Sequence, residues 1–206
     1  MSSTSSRRLV LLRHGRTEWN HAGRVQGQTD VDLDDEGRAQ ASRVAVEMAK
    51  LDPTVLWSSD LLRARRTAEA LADVTGLPLV LDARLREFGL GEREGMTHAE
   101  YAAAAPEEFN LFRHGYYDSA PGAEQTDAVR DRMREVLRAL LETIGPGETV
   151  IAVSHGAAIR VATGALLGWP DDQFHTLRGL ENCGWVVLEE HSEIDGLRLG
   201  AYNRTV

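Results

Sequence analysis

The chain has 206 residues, 42% of them hydrophobic and 27% charged, with one cysteine. This ordinary globular composition excludes a disordered tail, a collagen-like chain and a fibrous repeat, and the lone Cys183 excludes an intramolecular disulfide framework and suits a reducing compartment. Lysine and arginine number 23 against 32 aspartates and glutamates, a net charge of −9, so neither a nucleic acid nor an anionic membrane is expected as a partner.

Met1–Ser6 is a Ser/Thr-rich leader expected to fray. The apolar run that follows ends at Arg13, shorter than the roughly seven residues of a secretory signal, and nothing approaches the ~18 residues of a membrane span. The chain is therefore expected in the cytoplasm. Arg8–Leu12 reads as a buried strand running into the loop Arg13-His14-Gly15. Asp34 or Asp35 can N-cap a helix reaching about Lys50, with Ala41, Val44, Ala45 and Met48 on one face. Thr54–Trp57 is a second strand, Ser58-Ser59-Asp60 a cap, and the helix beyond it stops at Thr75 before Gly76 and Pro78. Leu79–Leu81 is a third strand.

The segment from Gly89 to Gly122 breaks the alternation. It holds one short helix, opened by a capping box of Thr97 and Glu100, and then aromatic and polar loop. Val129, Met133, Val136, Leu140 and Ile144 mark the inner face of a helix that stops at Gly145-Pro146. Thr149–Ser154 is the most strand-like stretch, and it too runs into His155-Gly156. Ala157–Leu167 is helical, and Trp185–Glu190 with Leu197–Tyr202 form a hairpin around Asp195-Gly196. Strands alternating with helices predict an α/β three-layer sandwich, a mostly parallel central sheet with helices on both faces. The chain reads as one domain, 1–206, with a small cap inserted at about 89–122.

In open α/β sheets ligands sit beyond the carboxyl ends of the strands. Two strands here end in His-Gly, at His14 and His155, and if they are neighbours both imidazoles meet in one crevice. Either histidine alone is as readily a satisfied loop residue; two at the same kind of strand end point to function. Arg63 lies in the first turn of a helix after a strand, a phosphate anchor in charge and place, whereas Arg65 and Arg66 read as a solvated face. Glu87, in Leu85-Arg86-Glu87-Phe88-Gly89, would by itself be a surface acid paired with Arg86; at the same sheet end it becomes a candidate proton donor.

The run Leu11-Leu12-Arg13-His14-Gly15-Arg16-Thr17-Glu18-Trp19-Asn20 closely resembles the signature of the histidine phosphatase superfamily, in its phosphoglycerate-mutase-like branch. The resemblance continues, in the family's order, through Gly27-Gln28-Thr29-Asp30, Ser58-Ser59-Asp60-Leu61 with Arg63-Ala64, Leu85-Arg86-Glu87 and Ser154-His155-Gly156. It implies a phosphomonoester hydrolase working through a phosphohistidine. His14 matches the nucleophile, Arg13 and Arg63 the phosphate-binding arginines, His155 the second pocket histidine and Glu87 the general acid. Asn20, Gln26 and Gly27 fall where the family contacts phosphate or substrate. The pattern from Gly23 to Asp32, with Asn182-Cys183-Gly184-Trp185, resembles the broad-specificity phosphatases and the glucosyl-3-phosphoglycerate phosphatases of that family. In Pro121-Gly122-Ala123-Glu124-Gln125, where the family usually has a Gly-Glu-Ser, Glu124 is kept and Gln125 replaces the serine.

The residue types suit the chemistry. Phosphoryl transfer is mostly positioning and charge stabilisation, arginine forks match phosphate oxygens in pairs, and nearby cations favour a neutral, nucleophilic imidazole. The alternatives are a cofactor-dependent phosphoglycerate mutase and a non-catalytic phosphate-binding module. From Phe88 to Ala120 the only cations are Arg93 and Arg113, against six acids: Glu92, Glu94, Glu100, Glu107, Glu108 and Asp118. A cap so composed should hold a doubly phosphorylated intermediate poorly, which favours the phosphatase. Phe109, Phe112, Tyr116 and Tyr117 either line the substrate's remainder or pack the cap. No cofactor is expected, and His14, His155 and His175 do not form a close metal-binding motif; His175 and His191 read as surface or structural. The expected partner is a small phosphorylated substrate, with a homodimer left open.

Overall fold

The core is divided by the central strands. In the computed structural model, which describes residues 6–170, 173–190 and 196–206, the chain runs β1 (Arg8–Arg13), α1 (Glu18–His21), α2 (Asp35–Ala49), β2 (Pro53–Ser58), α3 (Leu62–Thr75) and β3 (Leu79–Leu81). It continues through α4 (His98–Ala104), α5 (Pro106–His114), α6 (Thr126–Glu142), β4 (Thr149–Ser154), α7 (Gly156–Leu166), β5 (Trp185–Glu190) and β6 (Leu197–Arg204). Leu9 and Leu11 of β1 and Val150 and Ala152 of β4 pack into one apolar cluster with α6 and α7. Val10 and Leu12, with Ile151 and Val153, pack into a second with α2 and α3. Strands covered on both faces need apolar side chains at successive positions, which is why these segments read as unbroken hydrophobic runs.

The sheet order is β3-β2-β4-β1-β5-β6. The first four strands are mutually parallel, and β5 and β6 extend the sheet antiparallel. This is the three-layer sandwich read from the sequence. The Met1–Ser5 leader, His191 and the Asp195 side of the hairpin turn lie outside the described residues.

Three local expectations change. The helix expected to be capped by Ser58-Ser59-Asp60 starts at Leu62, whose N–H is received at 2.7 Å by Asp30 from a distant loop. Asp60 instead pairs through both oxygens with Arg86. The stretch after α4 is not loop: Pro106 at the first position and Gly115 in the left-handed region (φ 97°) bound α5, the usual helix start and stop chemistry. The four-residue α1, closed by a capping box of Thr17 and Asn20, also escaped the periodicity because one turn has no period.

The loop that carries His14 is fixed by backbone contact. A Cβ on Gly15 would lie 2.5 Å from the carbonyl oxygen of Gly37, and one on Gly37 would lie 1.9 Å from that of Arg16. Glycine at both positions lets the first turn of α2 press onto the loop after β1, while Thr67 of α3 accepts the Gly15 N–H at 3.0 Å. Gly37→Ala is expected to destabilise the fold by at least about 1–3 kcal/mol, the range for overpacking; an unchanged urea midpoint would contradict this contact.

Candidate active site

The register of β1 against β4 sets Arg13 opposite Ser154, so the next residues, His14 and His155, leave the sheet side by side. Their ring centroids are 5.1 Å apart. Both are buried. His14 Nδ1 lies 2.7 Å from the carbonyl oxygen of Gly15, an acceptor only, so Nδ1 carries the hydrogen and Nε2 keeps a free lone pair. His155 Nε2 lies 2.9 Å from Ser59 Oγ. That hydroxyl accepts the Leu61 N–H and keeps its own proton to donate; when it donates to Nε2, the imidazole carries its hydrogen on Nδ1.

Two guanidiniums enter the same space. Arg63, 1% exposed, donates to the carbonyls of Thr29 (2.8 Å) and Gly27 (2.7 Å), and Arg13 donates to that of Leu180. Arg13 Nε, Arg63 Nε and His155 Nδ1 are buried without a hydrogen-bond partner. Three donors in want of an acceptor, around a free imidazole nitrogen, are a cradle for a tetrahedral anion. Burial lowers Arg63 to about 10, still charged at neutral pH. Burial, then the charges of Arg63 and Arg13, holds His14 well below the ordinary histidine value. His155 is lowered in the same way, with His14 adding to the effect.

Glu87 completes the group. Its carboxyl accepts the N–H groups of Ala158 (2.9 Å), Phe88 (3.0 Å) and Ala157 (3.1 Å), so it sits on the first turn of α7 beside His155. It does not pair with Arg86. The turn that carries it is clamped by Arg132 of α6, which donates to the carbonyls of Arg84, Arg86 and Glu87 and is itself held by both oxygens of Glu124. Glu124 is thus a support for Glu87, and Gln125 lies at the start of α6.

Asn20, Gln26 and Gly27 line the same pocket, of about 390 Å³. Asn20 Oδ1 receives Thr17 and Asn182, leaving its NH2 end for a ligand. Gly27 (φ 52°) holds its carbonyl toward Arg63 and has the Glu94 carboxylate where a Cβ would be. Glu94 also accepts the N–H groups of Gln28 and Thr29, fixing the loop that fixes Arg63.

The cap divides its aromatic residues. Phe112 and Tyr117 line the pocket, whereas Phe109 packs against Tyr101 and Tyr116 stacks on His175 at 4.2 Å. Its charge count misleads, because Glu94 points inward and Glu108 is taken by Arg93. The pocket's further cations, Arg24 and Arg160, come from outside the cap, and Arg113 from within it. Arg65 and Arg66 pair with Glu69 at the surface, as expected. Sequence reading missed Arg160, whose only signal was its place one turn into the helix after His155.

In the unfolded chain both histidines take up protons near pH 6.5, whereas the fold holds them neutral. Stability from this source is therefore full above about pH 6.5 and is lost as the pH falls below it toward the depressed folded values. The urea midpoint is expected to fall between about pH 7.5 and 5.5, and to fall less in the double variant His14→Asn, His155→Asn. Equal slopes would contradict the buried neutral pair.

Residues 9–203 match the histidine phosphatase superfamily (branch 1). A glucosyl-3-phosphoglycerate phosphatase of Mycolicibacterium vanbaalenii is 43% identical over 92% of this chain and 87% of its own length. A protein of Erwinia tasmaniensis named "Probable phosphoglycerate mutase GpmB" is 37% identical over 93% and 88%. Among solved structures, mycobacterial glucosyl-3-phosphoglycerate phosphatase in complex with VO3 superimposes with a TM-score of 0.91 at 38% identity, over 97% of this chain and 100% of that one. No helix among the described residues is long and apolar enough to cross a membrane.

Proposed function

The chain belongs to the histidine phosphatase superfamily, branch 1, and is a phosphomonoester hydrolase; from that premise we propose that His14 is its nucleophile. The phosphate of the substrate lies between Arg13 and Arg63 and takes the Nδ1–H of His155. His14 Nε2 attacks phosphorus, the bond to the ester oxygen breaks, and Glu87 protonates that oxygen as it leaves. Water then attacks phosphohistidine, the N–P bond breaks, and the water's proton goes to Glu87, which restores the starting state. The arginines and His155 face the equatorial oxygens, where the loose transition state carries its charge. The observation that carries this reading is that Arg13 and Arg63, each with a buried and unpartnered Nε, share one pocket with His14, whose ring lies 5.1 Å from that of His155.

The substrate we assign is glucosyl-3-phosphoglycerate, the compound named for relatives that share most of this chain. Trp19 and Phe112, both partly buried at the pocket wall, offer the apolar surface a hexose ring rests on. Residues 1–206 act as one domain, with about 89–122 as a cap that supplies Phe112, Arg113 and Tyr117 to the pocket. The reaction needs no cofactor, and the single cysteine of the sequence suits the cytoplasm.

Incubation with labelled substrate and an alkaline quench should trap phosphate on His14, and His14→Ala should lower kcat/KM by at least about 10³-fold. Turnover by His14→Ala at the wild-type rate would end the mechanism. Across a panel of phosphorylated metabolites glucosyl-3-phosphoglycerate should give the highest kcat/KM for phosphate release; isomerisation of 3-phosphoglycerate outpacing release would favour a mutase instead. Glu87→Gln should slow alkyl phosphates by about 10²–10⁴-fold and p-nitrophenyl phosphate far less, since its leaving group hardly needs a proton. Equal losses would remove Glu87 from that role.

A further inference from the structure

Ser58 ends β2 and Ser59 follows it; both are fully buried, and neither caps α3. Ser58 is satisfied locally, its hydroxyl donating to the carbonyl of Ser59 at 2.8 Å. Ser59 reaches into the site instead. Its Oγ lies 2.9 Å from His155 Nε2 and accepts the Leu61 N–H at 3.3 Å. Among the described residues the Ser59 hydroxyl has no other hydrogen-bond partner.

The sheet sets this contact. β4 lies between β2 and β1, and its carboxyl end receives both neighbours: the Val153 carbonyl takes the Ser59 N–H at 2.9 Å, and the Ser154 carbonyl takes that of His14 at 3.1 Å. His155 follows directly. Its ring therefore meets Ser59 from one neighbouring strand end and His14 from the other.

A neutral imidazole carries one hydrogen, and the bond made by one ring nitrogen decides what the other presents. Burial, then the charges of Arg63, His14 and Arg13, keeps His155 neutral. Its Nδ1 is buried without a partner, whichever nitrogen holds the hydrogen. With the hydrogen on Nε2, Ser59 Oγ would accept two N–H groups and its own proton would be stranded. With the hydrogen on Nδ1, the hydroxyl accepts from Leu61 and donates to Nε2, and both of its roles are filled. A buried donor without an acceptor is unfavourable, which selects the second arrangement.

We propose that Ser59 is a positioning residue of the hydrolysis: by donating to Nε2 it holds His155 in the form whose Nδ1–H meets the phosphoryl group. Without the hydroxyl the imidazole is free to carry its hydrogen on Nε2. It then sets a lone pair, in place of a donor, against an oxygen on which the transition state carries its charge. The loss of an interaction aimed at that charge shows in kcat more than in KM. This rests on the phosphatase reading above and extends it from His155 to the group that orients it.

The test pairs ¹⁵N NMR of the histidine rings at neutral pH with turnover of p-nitrophenyl phosphate. Wild-type His155, assigned by the loss of its signal in His155→Gln, should carry its hydrogen on Nδ1. Ser59→Ala should move that hydrogen wholly or partly to Nε2 and lower kcat about tenfold, the scale of one hydrogen bond, with KM changed less than about threefold. Ser58→Ala removes an equally buried hydroxyl that bonds elsewhere; it should leave the hydrogen on Nδ1 and kcat within about threefold of the wild type. Should Ser59→Ala not fold, Ser59→Cys, close in size and a weak donor, should change both readouts in the same direction. A wild-type hydrogen on Nε2 or on both nitrogens overturns the proposal. So does a Ser59 variant that keeps kcat, one that loses it with the hydrogen still on Nδ1, or a Ser58→Ala that matches it in both readouts. In each of these cases phosphate release by the wild type upholds the phosphatase reading. No release by the wild type from p-nitrophenyl phosphate or any other phosphomonoester overturns both.

Discussion

The parallel pairing of β1 with β4 is the constraint on which the site depends. Because Arg13 stands opposite Ser154, His14 and His155 leave the sheet at the same height and their rings come within 5.1 Å. A slip of one residue would displace one ring by about 3.3 Å and turn the strand's side chains onto the wrong faces. The alternating burial of Leu9, Val10, Leu11 and Leu12 between two apolar clusters forbids that slip. The hydrophobic pattern that fixes the fold thereby fixes the distance between the imidazoles.

Around this pair the supporting residues work at one remove. Glu94 holds the loop of Gly27 to Thr29, whose carbonyls hold Arg63. Glu124 holds Arg132, which grips the backbone that presents Glu87. In both chains a carboxylate stands behind the site and keeps its charge away from the anion. An acidic protein, at −9 overall, can in this way keep a cationic pocket: among the described residues Glu87 is the one carboxylate that lines it, Glu94 and Glu124 lie behind the loops, and Arg13, Arg63 and Arg160 reach inward.

The central architecture was legible because it rests on local signals. Buried strands announce themselves as short apolar runs, and Gly76 and Asp34 mark helix ends that the structure places at the same positions. The two His-Gly steps and the ordered motifs around Arg63 and Glu87 pointed to one crevice, and the structure brings all of them there. What was not legible depends on chain segments returning from a distance. Asp30 caps α3 from 32 positions away, and no local pattern at Leu62 could show it. The inward turn of Glu94 and the capture of Arg93 by Glu108 changed the meaning of the cap's charges, which composition alone treats as equivalent. α5 was a different failure: Pro106 and Gly115 stated its limits, but its aromatic residues were read as loop.

The way the arginines are held has a further effect. Arg63, Arg160 and Arg13 are fastened by main-chain carbonyl oxygens. Such oxygens have no proton to gain over the range in which enzymes work, so acidification cannot loosen them as it would a carboxylate support. The direct grip on the arginines that face the substrate's phosphate is in this respect built into the backbone.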